Sequence, residues 1–346
     1  MSDLDFATQT MTIEAIFLLG LMGFAVSMLI TPIYTYISYK YQWWKKPRTT
    51  ALTGEKATEF QKLHAAKHRR NIPTMAGLIV IIGVSLVTLI FNLSREQTWL
   101  PLAAMVAAGL VGLLDDYINI KGDGKGVAGL RSKLKFMLIA GVALVAGWWF
   151  YAKLDINSFY FPGTGDVSIG WLIIPLFMIV VISTANAVNI SDGLDGLAGG
   201  LLATSFAAYA VIALLQGRNG VAAFCMTVVG SLLAYVWFNI YPARFFMGDV
   251  GSFALGMALG VVAMITDTLV LLPIIGIVFV AEAGSVIIQT ISKKLRNGKK
   301  IFRISPVHHH FEAIGWPETK VTMRFWVIGQ VAAVTGLVLA IVGGFI

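Results

Sequence analysis

The sequence predicts an all-α polytopic membrane protein, a single bundle of about ten transmembrane helices spanning residues 1–346. Three observations predict it. The 346-residue chain is 57% hydrophobic and only 13% charged, with a mean hydropathy of +0.79, well beyond the apolar share of an ordinary soluble domain. Apolar runs of roughly 17 to 25 residues recur along its length, each matching the ~30 Å hydrocarbon core when wound as a helix. No linker, internal repeat or low-complexity segment divides the chain, so one domain is expected.

In chain order, the first span is expected over 12–38. Its leader, "MSDLDFATQT", has no basic n-region, which predicts a retained helix and not a cleaved signal. Spans follow at 74–93, 98–117 and 133–152. Next, "SFYFPGTGDVSIG" (158–170) sets two short apolar or β-branched stretches around Pro-Gly-Thr-Gly-Asp and predicts a small hairpin. Spans at 169–188, 194–215, 220–238 and 251–266 lead to a ninth at 268–292, where Glu282 and Gly284 predict a broken or bent helix with a basic end. The last span is 322–345. Cys225 is the sole cysteine and falls inside a span, which excludes an intrachain disulfide or a cysteine metal site.

Charge predicts the orientation. Residues 39–73, 118–135 and 293–321 hold nine, five and seven Lys or Arg, whereas the segments after the second, fourth and sixth spans hold only Arg95, Lys153 and Arg218. The positive-inside bias puts the first group in the cytoplasm, and both termini and the hairpin outside. The net charge of +8 is thus gathered on one face, where it attracts anionic lipid or an anionic substrate.

Chemistry gathers on that same face. In "ANAVNISDGLDGLAGG" (185–200), Asp192 and Asp195, with Asn186 and Asn189 before them, lie at a membrane boundary. A carboxylate near hydrocarbon costs several kcal/mol unless water, a cation or hydrogen bonds compensate it. Asp115 and Asp116 in "GLLDDY" and Asp249 in "FFMGDVGS" fall at the same depth, from separate loops or helix ends. Each Asp alone also reads as a helix cap or a solvated charge. Together they would repel one another, and a hard cation is the usual remedy. Oxygen ligands favour Mg2+ over zinc. Asp192 and Asp195 either share a helical face or, with Gly193 and Gly196, form a turn.

Further groups surround these acids. "ISPVHHHFEAIGWPETK" (304–320) holds three of the five histidines beside Arg303 and Glu312, suited to proton shuttling or phosphate donation, or else a surface metal tract. "KHRRNIPTMAG" (67–77) is a basic anchor or a place where Arg69 or Arg70 reaches a phosphate or nucleobase. Lys133 and Lys135 divide between lipid anchoring and diphosphate binding. Phe245 and Phe246 divide between core filling and a platform for a base. Neither a Walker A motif nor Gly-x-Gly-x-x-Gly is present, which argues against a P-loop ATPase or a kinase. The parts describe phosphoryl transfer at a membrane surface. An ion-coupled transporter would instead set acids near the midplane within an inverted repeat. Nothing in the pattern points to nucleic acid as a partner.

Through "IPTMAG", "GLLDDY", "NAVNISDGLDGLA", "WFNIYPARFFMGDVGS" and "SPVHHHFEAIGWPETKVTMRFW", the chain resembles the polyprenyl-phosphate N-acetylhexosamine-1-phosphate transferase superfamily nearly end to end. Within it, the triple His with its Gly-Trp-Pro-Glu sequel is most similar to the phospho-N-acetylmuramoyl-pentapeptide transferase family. Sister enzymes that use UDP-GlcNAc carry a different His-containing loop. The resemblance implies ten helices around a cytoplasmic cleft in the bacterial inner membrane, commonly as a homodimer. It also implies Mg2+-dependent transfer of phospho-MurNAc-pentapeptide from its UDP carrier, UDP-MurNAc-pentapeptide, to undecaprenyl phosphate, with release of UMP.

By the same resemblance, Asp249 is the magnesium ligand, and Asp115 and Asp116 are the catalytic aspartate pair, with His308 beside them. Asn189, Asp192, Asp195 and Phe246 match the nucleoside pocket, Gln289 a pocket residue on the ninth helix, and His308, His309 and His310 a loop closing over the substrate. Arg69, Thr74, Lys135 and Asn239 complete the implied substrate contacts. The chain departs from the family pattern at Arg69, where Lys is usual, at Asn71 and Ile72 in place of Gly-Thr, at Ala76 in place of Gly, and at Asn119, where Lys is common.

Overall fold

The computed structural model describes residues 11–44, 71–122 and 129–346. Its helices are α1 (Ile13–Lys40), α2 (Gly77–Phe91), α3 (Trp99–Lys121), α4 (Ser132–Leu154), α5 (Ile173–Ser191), α6 (Leu197–Leu215), α7 (Asn219–Asn239), α8 (Gly248–Ile265), α9 (Leu272–Ile275), α10 (Ile277–Leu295), α11 (Val307–Ala313) and α12 (Glu318–Val342). Between α4 and α5 lie β1 (Ser158–Phe161) and β2 (Gly165–Ser168), an antiparallel hairpin pairing Ser158 with Ser168 and Phe161 with Gly165. The hairpin expected at 158–170 is therefore present.

Burial orders the bundle. Of the apolar window of α8, 94% is buried, and α8 packs against α3, α5, α2 and α6. It is the central helix. The helices α1, α4 and α12 keep only 28%, 28% and 33% of their windows buried, so their apolar outer faces have hydrocarbon as the matching solvent. Along the bundle, α1 lies against α7, α7 against α6, and α6 against α12.

Local chemistry sets the ends and crossings. The α1 helix opens at Thr12, whose Oγ1 accepts from the Ala15 N–H at 3.4 Å, with Glu14 in the first turn. Where α3 meets the start of α8, Gly112 has no side chain, and a Cβ there would overlap the Asp249 carbonyl. Small residues permit such close helix crossings. The consequence is that Asp115 and Asp116, a turn further along α3, stand beside Asp249. At the opposite end of α8, the Tyr160 N–H donates to Asp267 Oδ1 at 2.9 Å and the Tyr160 hydroxyl to the Gly343 carbonyl at 3.0 Å. That pins the hairpin to the end of the bundle away from the acids.

Eight of the described helices are long and apolar enough to cross a membrane, which fits the expected all-α polytopic bundle, and one local expectation is corrected. The second expected span is the 15-residue α2, about 22 Å long at 1.5 Å per residue, because residues 71–76 before it are non-helical. The ninth does break, but at Gly276, between α9 and α10, where Pro273 opens the short α9. Glu282 and Gly284 sit inside an unbroken α10. Glutamate is a good helix former, and its buried carboxylate is compensated by an imidazole and not by unwinding.

Candidate active site

The ends of α3, α5 and α10 and the starts of α4, α6, α8 and α12 meet at one end of the bundle. Asp115 and Asp116, on the last turns of α3, are buried to 2% and 0% exposure, and Asp249 opens α8. Ligand oxygens of these three lie within 4.8 Å of one another. Among the described residues they are the group of acids, histidines and cysteines able to share one metal ion.

Each carboxylate is held in place. Asp115 Oδ1 accepts from the Leu130 N–H at 2.8 Å, and its Oδ2 accepts from Asn119 Nδ2 at 3.0 Å. Asp116 Oδ2 accepts from the Val250 N–H at 3.1 Å. Gly248, at φ +76°, turns the chain into α8, and a Cβ there would meet both Asp116 Oδ2 and Thr74 Oγ1. The Lys135 ammonium, on the first turn of α4, stands 2.7 Å from Asp249 Oδ2 and 3.0 Å from Asp115 Oδ2, while Lys133 is exposed. Of the two lysines, Lys135 is the one that reaches the acids.

The segment 73–77 lies beside 246–247: the Phe246 N–H donates to the Pro73 carbonyl at 2.8 Å, and the Ala76 N–H to the Phe246 carbonyl at 2.9 Å. Thr74, buried, accepts through its carbonyl from the Tyr34 hydroxyl. The two phenylalanines divide. Phe245 is fully buried among Tyr34, Tyr235 and Phe238, whereas Phe246 is half-buried beside the acids.

The α5–α6 connection is a turn rather than a helical face, with Gly196 at φ +77°. Asn189 Nδ2 donates to Ser252 Oγ on α8 at 2.8 Å, and Asp192 is half-buried. Asp195 is buried; its Oδ2 accepts from the Ala243 N–H at 3.0 Å, and its own N–H donates to Glu318 Oε1 at 2.7 Å. Asn239 joins the same turn to the phenylalanine loop, accepting from the Gly196 N–H at 3.0 Å and donating to the Phe245 carbonyl at 2.8 Å. Asn186 is exposed and bonds back to the Ile182 carbonyl.

Each histidine in the triple has its own partner. His308 Nδ1 lies 2.8 Å from Glu282 Oε2, His309 Nδ1 lies 2.7 Å from Glu312 Oε2, and His310 Nδ1 accepts from the Arg303 N–H at 3.2 Å. The amide of Gln289 is spent on backbone: its Nε2 donates to the Phe302 carbonyl at 2.7 Å and its Oε1 accepts from the N–H groups of Ile301 and Phe302. It braces the loop leading to α11. Arg69 and Arg70 lie outside the described residues.

Sequence reasoning missed Glu282, Ser252 and Glu318 as parts of this end. A signal existed for Glu282, since an acid inside an apolar helix is by default a functional candidate.

An all-α membrane bundle with a carboxylate–lysine cluster at one end defines a class, the polytopic membrane transferases of phosphorylated sugars, and glycosyl transferase family 4 matches residues 98–267. The phospho-N-acetylmuramoyl-pentapeptide-transferase of Chloroflexus aurantiacus is 41% identical over 285 residues, covering 79% of this chain and 78% of that protein. Enzymes of that name from Geobacillus sp. (strain WCH70) and Bacillus mycoides are 38% and 39% identical over 92% of this chain and 95% and 96% of their own lengths. The chain belongs to the phospho-N-acetylmuramoyl-pentapeptide-transferase family.

Proposed function

We propose that the protein transfers phospho-MurNAc-pentapeptide from UDP-MurNAc-pentapeptide to undecaprenyl phosphate, releasing UMP, at the cytoplasmic face of a bacterial inner membrane. The relatives' shared name supports the substrates, and the Lys and Arg bias of the loops supports the orientation, with both termini outside. A homodimer in membrane lipid belongs to the same reading.

The observation that carries it is Asp115, Asp116 and Asp249 gathered within 4.8 Å, with Lys135 between two of them. All the acidic donors are oxygens, a set that fits a hard cation. Mg2+ is the ion assigned, with Asp249 as its protein ligand and Asp115 and Asp116 beside it; when bound, it neutralises charge on the diphosphate.

The chain's own residues do the rest. Lys135 offers its ammonium to the anionic groups, and Phe246 offers a half-exposed ring for the uracil. Asn189, Asp192 and Asp195 line the nucleoside side, and Thr74 and Asn239 hold the loops on which the site rests. Arg69, His308, His309 and His310 complete the assigned contacts, and Gln289 braces the loop that carries the histidines. One carboxylate of the Asp115–Asp116 pair takes the proton of the lipid phosphate. An oxygen of the lipid phosphate then bonds to the sugar-side phosphorus as the bond from that phosphorus to the UMP oxygen breaks, so positioning and charge stabilisation supply the catalysis.

The test is a transfer assay on purified protein with undecaprenyl phosphate, Mg2+ and either UDP-MurNAc-pentapeptide or UDP-GlcNAc. UMP release and a lipid-linked product are expected with the first donor only. Product from UDP-GlcNAc alone would overturn the reading in favour of a sister transferase.

A further inference from the structure

The buried face of α10 holds the chain that returns toward α11 at three heights. Ser292 Oγ donates to the Lys299 carbonyl at 2.9 Å, Gln289 grips residues 301 and 302, and Glu282 meets His308. The first two contacts use backbone and set the path of the loop. The third is between two ionisable side chains, both at 0% exposure and 2.8 Å apart. Paired with an ionised Glu282, which would accept hydrogen bonds and donate none, a neutral imidazole would carry its proton on Nδ1 and present Nε2 as an acceptor.

The far side of the ring is equally defined. A Cβ added to Gly193 would collide with His308 Nε2, and it would lie 2.8 Å from Cε1 of the same ring. The ring atom set against the 192–196 turn is therefore Nε2. Gly193 stands between Asp192 and Leu194 in a turn whose Asp195 is itself clamped to Ala243 and Glu318. Both walls of the imidazole are thus braced, by a carboxylate behind it and by a side-chain-free turn in front.

We propose that Glu282 is a positioning residue for the transfer reaction, fixing the tautomer and orientation of His308 so that Nε2 is delivered to the nucleotide side of the site. The inference rests on the transferase reading for the claim that this imidazole serves the substrate. Glu282 itself touches none of the reacting atoms. Its role is that of a carboxylate which orients a working histidine and selects its tautomer.

The experiment uses the full-length protein in detergent, comparing wild type with Glu282→Gln, Glu282→Asp and His308→Asn. Three readouts are taken: melting temperature, kcat and KM for transfer, and the imidazole nitrogen shifts of 15N-histidine-labelled protein. His308 is assigned in the spectra by its loss in His308→Asn. In Glu282→Gln the isosteric amide both donates and accepts, so the His308 nitrogens should lose the single Nδ1–H pattern and kcat should fall about 10- to 100-fold, the range seen when an orienting partner is removed. KM for the UDP substrate should change little. Glu282→Asp, which keeps the carboxylate, should recover part of kcat.

His308→Asn keeps a donor for Glu282 but deletes the Nε2 end, so it should stay folded and lose kcat. Wild-type kcat in Glu282→Gln, or unchanged nitrogen shifts, overturns the proposal. Should Glu282→Gln fail to fold, a folded His308→Asn with normal kcat overturns it as well. A wild-type protein that makes no lipid product refutes the transferase reading instead, and the nitrogen shifts of Glu282→Gln then still report whether the carboxylate sets the tautomer.

Discussion

Lys135 places its ammonium 2.7 Å from Asp249 Oδ2, so a cation carried on α4 already stands against the carboxylate that opens α8. It also reaches Asp115 on α3 at 3.0 Å. A divalent ion at the same oxygens competes with it. A unit charge about 4 Å away is worth up to roughly 4 kcal/mol at an effective dielectric of 20, and less where water enters. Replacing Lys135 with Met should therefore tighten Mn2+ binding, followed by electron paramagnetic resonance titration, by about tenfold, while transfer slows because the diphosphate loses a cationic partner. Weaker Mn2+ binding would place the ion elsewhere.

Asp249→Asn makes the complementary case. The side chain is half-buried at the start of a helix, so the exchange removes charge without opening a core cavity. Turnover should be abolished and its Mg2+ dependence weakened, with expression and melting temperature close to wild type. Near-normal rates at the same Mg2+ concentration would remove Asp249 from the metal role.

The acids were legible in the sequence because a carboxylate at the edge of an apolar run is costly and thus conspicuous. The partners of several buried groups were not. Asp195 and Asn239 read as substrate contacts, yet each bonds the backbone of another loop, at Ala243, and at Gly196 and Phe245. Glu282 read as a helix breaker because its compensating imidazole lies 26 residues on and arrives only once the chain has folded back from α10 to α11. Hydropathy placed the start of the second span early for a related reason. The apolar residues Ile72, Met75 and Ala76 are buried in a loop that precedes α2, and a hydropathy window does not separate a buried loop from a helix.

Phe245 and Phe246 should respond to substitution in different ways. Phe245 is sealed among aromatic rings, so Phe245→Ala should cost about 3–5 kcal/mol of stability, read as a lowered melting temperature. Phe246→Ala should leave the melting temperature nearly intact and weaken binding of the UDP substrate by about 1–3 kcal/mol if its ring stacks the base. Phe246→Trp should keep much of that affinity. Equal losses for Ala and Trp would mark the position as packing and exclude stacking.

Gln289→Met keeps the length of the side chain and removes the three hydrogen bonds to Ile301 and Phe302. Backbone exchange should rise across residues 299–310 while α5 and α8 keep their protection, and transfer should fall as the loop loosens. If exchange stayed unchanged and only KM rose, Gln289 would instead be acting directly on substrate.

A shared metal at His308, His309 and His310 would require their ring nitrogens to converge, and the structure directs them to three partners: Glu282, Glu312 and the Arg303 N–H. A transition-metal chelator in excess Mg2+ should therefore leave the melting temperature unchanged. His308→Ala should lower it, because the buried Glu282 Oε2 loses a hydrogen-bond partner, a loss of about 1–3 kcal/mol. His309→Ala breaks the contact with Glu312 inside α11 and should slow transfer strongly with little change in melting temperature, whereas His310→Ala, which loses one backbone N–H, should be the mildest of the three. Melting temperature and transfer rate, measured for each variant with and without chelator, separate these cases. Chelator-sensitive melting of the wild type would show that the histidines share an ion after all, and normal transfer in His309→Ala would remove that residue from the substrate loop.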